Sequence, residues 1–109
     1  MNYTIHQLSV FLKVVEYQSI TKASVALFMT QPAVSIQLKK FQDQFDVPLT
    51  EVIGRQLNVT SFGMEIAEMA KRIMVELDEI KYKTEAYKGL LTGKLTLSAA
   101  STGKYVIPY

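Results

Sequence analysis

Few residues in this chain have the types and spacing for bond-breaking chemistry. The one histidine, His6, lies a turn inside the first helical segment, with no serine, cysteine or acid at a spacing that makes it a general base. There is no cysteine, so disulfides, thiol nucleophiles and Cys/His zinc sites are excluded together. Gly89 to Lys94 contains a Gly-Lys pair, but the spacing is short for a phosphate-binding loop, and Leu95 stands where Ser or Thr is needed. The carboxylates are scattered along a long helical stretch and read as its wet face. Neither an enzyme nor a metal or other cofactor is expected. The remaining constellation suits reading a surface: Thr30-Gln31-Pro32-Ala33-Val34-Ser35-Ile36-Gln37, then Lys39 and Lys40. A glutamine donates and accepts at once, as an adenine edge in a DNA major groove requires; an isoleucine can pack on a thymine methyl. Lysines can neutralise phosphates.

These side chains need a scaffold, and the apolar spacing supplies one. Ile5, Leu8, Phe11, Leu12 and Val15 recur at helical intervals up to about Tyr17, and Thr4 with Gln7 forms a capping-box pattern at the start. A short second helix is expected between Thr21 and Phe28, capped by Ser19 or Thr21, with Ala23, Ala26 and Leu27 as a narrow apolar face. Thr30 caps a third helix and Pro32 sits in its first turn, where a missing N–H costs little. Val34, Leu38, Phe41 and Phe45 share one face of it; Pro32, Ile36, Lys39, Lys40 and Asp43 point the other way. Between Leu49 and Thr60 the period changes. Glu51-Val52-Ile53 and Gln56 to Val59 flank Gly54-Arg55, which predicts a β-hairpin with a type II′ turn and Arg55 at or near its tip.

A long helix, capped by Thr60 or Ser61, is expected up to Tyr87 or Lys88. Phe62, Ile66, Met69, Ile73, Leu77, Ile80, Thr84 and Tyr87 recur in nearly heptad steps, with one shift between Ile73 and Leu77. At 1.5 Å per residue it spans roughly 40 Å, too long for its stripe to be hidden by the preceding residues. A second copy of the helix is the simplest cover. Gly89 and Gly93 punctuate its end, and Lys94 to Ala100 alternates as one strand, as though an α/β domain had begun and been cut. The expected fold class is mainly α: a winged helix-turn-helix over 1–60, a linker helix over 61–88, and a hinge with a truncated α/β start over 89–109.

Composition agrees with a folded chain. Of 109 residues 49% are hydrophobic and 20% charged, too apolar for a disordered tail. The net charge of +2 says little, but its distribution says more. No acid occurs between Tyr17 and Gln42, where Lys22, Lys39 and Lys40 fall, so the window suits an anionic partner. No apolar run approaches the ~20 residues of a membrane span, and the first residues do not read as a signal peptide. A cytoplasmic location is expected.

The stretch from Ser19-Ile20-Thr21-Lys22-Ala23-Ser24 through Leu27, then Thr30-Gln31-Pro32-Ala33-Val34-Ser35-Ile36-Gln37-Leu38-Lys39, resembles the LysR-type transcriptional regulators. The likeness continues through Val47-Pro48-Leu49, Gly54-Arg55, Leu57, Val59-Thr60 and Gly63. Gly93-Lys94-Leu95-Thr96-Leu97, Ser101-Thr102-Gly103 and Ile107-Pro108 resemble the opening of that family's effector domain. The resemblance implies a bacterial regulator whose winged helix-turn-helix binds double-stranded promoter DNA and whose linker helix forms a homodimer. It also implies a C-terminal domain that binds a small-molecule inducer and drives tetramerisation, present only in a longer form. By position, Gln31, Pro32 and Ser35 match the family's major-groove and backbone contacts, and Arg55 matches the arginine of the wing. Two departures stand out. Ile36 follows the serine where the family often has Arg, and the wing begins Leu49-Thr50-Glu51-Val52 in place of Leu-Phe-x-Arg, which is expected to loosen it. The rival reading is a helical module that dimerises and bridges proteins without touching DNA.

Overall fold

The computed structural model describes residues 2–92. The strand expected over Lys94 to Ala100 and the effector-domain start lie outside the described residues. Three helices come first: α1 (Ile5–Tyr17), α2 (Ile20–Leu27) and α3 (Gln31–Gln42). An antiparallel hairpin of β1 (Thr50–Ile53) and β2 (Gln56–Val59) follows, then α4 (Ser61–Thr92). The chain divides into two units, Met1–Met74 and Val75–Tyr109. The first is a winged helix-turn-helix, and the second contains the rest of α4.

Local side-chain chemistry sets each boundary. At α1 the hydroxyl of Thr4 accepts from the Gln7 N–H at 3.0 Å and the Gln7 carboxamide accepts from the Thr4 N–H at 3.3 Å, so both halves of the capping box form. Ser19 caps α2 by accepting from the Lys22 N–H at 3.1 Å. Thr30 caps α3 by accepting from the Ala33 N–H at 3.2 Å. Thr60 caps α4 by accepting from the Gly63 N–H at 2.9 Å. Gly54 has φ +66° and Arg55 is not among the positive-φ residues, a pairing that a type II′ turn has and a type I′ turn lacks. The hairpin register pairs Thr50 with Val59 and Ile53 with Gln56. α4 runs past its expected end, through Gly89 to Thr92. One glycine in a helix costs about 1 kcal/mol relative to alanine, too little to stop a long helix by itself.

The core joins Val10, Phe11 and Val14 of α1, Ala23 of α2, Val34, Leu38 and Phe41 of α3, Leu49, and Ala67 of α4. Phe45 is half-buried at its edge, with ring centroids 5.1 Å from Phe41, 5.2 Å from Tyr3 and 5.9 Å from Phe62. The α3 face therefore packs as its spacing predicts. α1 is rotated from expectation: Gln7, Val10, Phe11 and Val14 are buried, Leu8, Leu12 and Val15 are half-buried, and Ile5 is exposed. Apolar residues occur on most sides of this helix, so the pattern allowed several phases, and only contact with α2 and α3 selects one.

Two helix ends place non-glycine residues in the left-handed region, Gln18 at φ 49° and Phe28 at φ 56°. Phe28 closes α2 while its neighbour Met29 donates its N–H to the Ser24 carbonyl at 3.0 Å. Phe28 is 96% exposed and adds nothing to the core. Glycine adopts this conformation without the Cβ penalty, so Phe28→Gly is expected to raise stability by about 1 kcal/mol. A denaturant midpoint shifted upward with unchanged slope is the expected result; an unchanged or lower midpoint would show that the exposed ring contributes to folding.

Candidate nucleic-acid interface

The core decides which half of α3 is left for a partner. Val34, Leu38 and Phe41 take one side, and Gln31, Pro32, Ser35, Ile36, Lys39 and Lys40 are all exposed. At roughly 100° per residue those six positions occupy about half of the helix circumference. Ile36 is 53% exposed on that half, as its phase predicts. Thr30 is exposed as well, with its hydroxyl oxygen engaged as the cap. The first turn of α3 carries no acid and the last turn carries Lys39 and Lys40. An anion meeting the start of α3 therefore finds a positive helix end without a competing carboxylate.

Gln37 is placed differently from the other six. It is half-buried, and its carboxamide oxygen accepts from the Gln7 Nε2 of α1 at 3.5 Å, a long contact. The structure thus turns Gln37 toward α1 and leaves the exposed half of α3 without it. Lys39 is within 3.1 Å of Asp43, with both side chains mostly in water. Such a pair contributes little, so Lys39 can exchange it for a phosphate at small cost. Lys40 and Arg55 make no ion pair among the described residues. Arg55 is exposed beside Gly54 at the hairpin turn, a second cationic element apart from α3.

The residues read as a seam divide along α4. Phe62 and Ile66 are half-buried against the core of the same chain. Met69 and Ile73 are 51% and 44% exposed, and Ile80 and Tyr87 are also exposed, while Leu77 is half-buried. The fully buried positions of α4 among the described residues are Gly63, Ala67 and Ala70. These small residues recur at a 4-3 spacing that was present in the sequence, overshadowed by the larger apolar residues beside them. Among the described residues no cluster of His, Cys, Asp and Glu could hold a metal ion. No helix among them is long and apolar enough to cross a membrane.

Three helices, a wing and a basic, acid-free half of α3 define a winged helix-turn-helix of the DNA-binding class. Residues 5–64 match the family described as "Bacterial regulatory helix-turn-helix protein, lysR family". The chain is 39% identical to the HTH-type transcriptional activator CmpR of Synechocystis sp., over 98% of this chain and 35% of that protein. It is 34% identical to the RuBisCO operon transcriptional regulator of Allochromatium vinosum, over 99% of this chain and 36% of that protein. A solved structure titled "Crystal Structure of BenM_DBD/benA site 1 DNA Complex" superposes with a TM-score of 0.74 at 27% identity, covering 79% of this chain and 97% of that one. The chain belongs to the LysR family of bacterial helix-turn-helix regulators and carries its DNA-binding domain. Members of that family regulate transcription and are not enzymes. The chain spans about a third of the length of the curated relatives it matches.

Proposed function

We propose that this chain binds double-stranded promoter DNA as a homodimer, each copy placing α3 in the major groove of one half of an interrupted dyad. The observation that carries the reading is the polar, basic half of α3, with Ile36 exposed opposite the packed residues. In this arrangement Gln31 and Ser35 face base edges, Thr30 and Pro32 set the approach of the helix start, and Lys39 and Lys40 meet phosphates. Ile36 takes a thymine methyl. Arg55 reaches a phosphate or the minor groove beside the major-groove site. Met69, Ile73, Leu77, Ile80 and Tyr87 supply the seam between copies, and Phe62 and Ile66 anchor the helix to its own domain. In a longer form, a C-terminal domain binds a small-molecule inducer and drives tetramerisation, and the protein acts in the cytoplasm.

Ile36→Ala tests the reading. The side chain lies outside the core, so folding should be nearly unchanged. Binding to a selected operator should weaken by about 1 kcal/mol, near the low end for one base contact. Binding to random duplex should not change, because no phosphate contact is lost. The measurement is a pair of titrations at one salt concentration. Equal loss on both duplexes would indicate a packing effect, and no loss on either would remove Ile36 from the interface. A steep fall of binding with salt separates this function from a helical protein-interaction module, for which duplex DNA is irrelevant.

A further inference from the structure

The wing and α3 must reach one duplex together, so the link between them sets where each lands. Gln42 is the last residue of α3 and Thr50 the first of β1. The Gln42 carboxamide oxygen accepts from the Thr50 N–H at 3.0 Å and from the Thr50 hydroxyl at 2.7 Å. A backbone N–H can only donate, so the Thr50 amide itself fixes which end of the carboxamide faces it. Both residues are half-buried, where hydrogen bonds hold geometry better than in open water. The other bonds at the hairpin base lead toward α4. The Thr60 N–H donates to the Leu49 carbonyl at 3.0 Å, and the Thr60 hydroxyl donates to the Pro48 carbonyl at 2.7 Å. The Gln42 carboxamide is thus what hydrogen-bonds β1 to the reading helix among the described residues. An aromatic residue at position 50 would retain the N–H donor and lose the hydroxyl.

We infer that Gln42, through its two hydrogen bonds to Thr50, is the positioning residue that fixes the wing relative to α3 and so sets which flanking bases Arg55 meets. Gln42 itself touches no DNA in this scheme. The inference rests on the DNA-binding reading above, and its test has one arm that needs no DNA. In the free chain, amide exchange at Thr50 should be slow, and Gln42→Leu should speed it. Gln42→Glu should keep it slow, since a carboxylate accepts both bonds. Thr50→Val keeps the shape and the N–H, so it should remain folded while losing the hydroxyl bond, and Thr50→Ser should restore that bond.

The second arm selects duplexes from a random pool with the parent chain and maps contacts by hydroxyl-radical footprinting. Thr50→Val should lower selectivity for the wing flank by about fivefold, the scale of one hydrogen bond, and Gln42→Leu, which loses both bonds, by more; both should leave base preference under α3 unchanged. Gln42→Glu and Thr50→Ser should restore the flank footprint. Unchanged Thr50 exchange in Gln42→Leu would overturn the link itself. Faster exchange with an unchanged flank would overturn the positioning role. Equal loss under α3 and at the flank would mark a general structural defect and overturn it as well. A parent chain that selects no sequence would overturn the DNA reading and the positioning role with it, a failure distinguishable because the exchange arm still reports on the link.

Discussion

Replacing Gly63 by alanine is expected to destabilise the winged domain by about 2 kcal/mol, a clash of about 3 kcal/mol at the upper end for forcing one extra carbon into a packed site less a helix-propensity gain of about 1 kcal/mol. A Cβ at this position would lie 2.1 Å from the Leu49 carbonyl oxygen and 2.9 Å from Val59 Cγ1. A flexible side chain can yield; the Leu49 carbonyl cannot move freely. It accepts from the Thr60 N–H at 3.0 Å, the Thr60 hydroxyl that donates to the neighbouring Pro48 carbonyl lies 3.2 Å from it, and the Leu49 side chain is fully buried. Separating α4 from the Leu49 backbone therefore breaks the Thr60–Leu49 bond at the base of the hairpin and opens the core beside Ala67. Helix propensity pulls the other way, since alanine is favoured over glycine by about 1 kcal/mol within a helix. The observed loss is the clash less that gain. Denaturant unfolding of the two chains measures it. A variant as stable as the parent would show that the Leu49 backbone and α4 separate at little cost.

The second large effect concerns assembly. The parent chain is expected to be a dimer in solution, and the double substitution Met69→Asp with Ile73→Asp is expected to make it monomeric. Both side chains are about half exposed in the single chain, so neither substitution removes a core contact, and the helix content should persist. In the dimer four carboxylates would enter an apolar seam without partners. At a conservative ~1 kcal/mol each, the low end for burying an uncompensated polar group, this weakens association roughly a thousandfold. Light scattering at matched concentrations checks both statements, with circular dichroism as the control for folding. A monomeric parent would remove the seam, and a dimeric double variant would move it to another face.

Helix starts were readable to within a residue or two because a cap acts over three residues: Thr4 with Gln7 and Thr30 with Ala33 lie within one turn of chain, while Ser19 or Thr21 and Thr60 or Ser61 were equal candidates until the structure selected Ser19 and Thr60. Gly54-Arg55 announced the hairpin for the same local reason. The exposed half of α3 was also readable, since its apolar residues occupy a single phase and leave Ile36 opposite. The residue block from Ser19 to Lys39 carried the family resemblance, and residues 5–64 match that family.

Long-range packing decided the rest. α1 offers apolar residues on most of its circumference, so its buried face exists only once α2 and α3 are placed against it. On α4 the stripe from Phe62 to Tyr87 looked continuous. The domain packs Phe62 and Ile66 against its own core and leaves Met69 and Ile73 about half exposed, because Gly63 and Ala67 bring the start of the helix close to Leu49. Gln37 lies thirty residues from Gln7 in sequence, and Gln42 eight from Thr50, with no period or motif linking either pair. Sequence alone determined where the helices start to within a residue or two and which half of α3 is available to a partner, because caps and helical phase act within a turn or two of chain. Tertiary structure alone decided the face of α1, the division of α4 and the anchoring of the wing, because those depend on which distant surfaces meet.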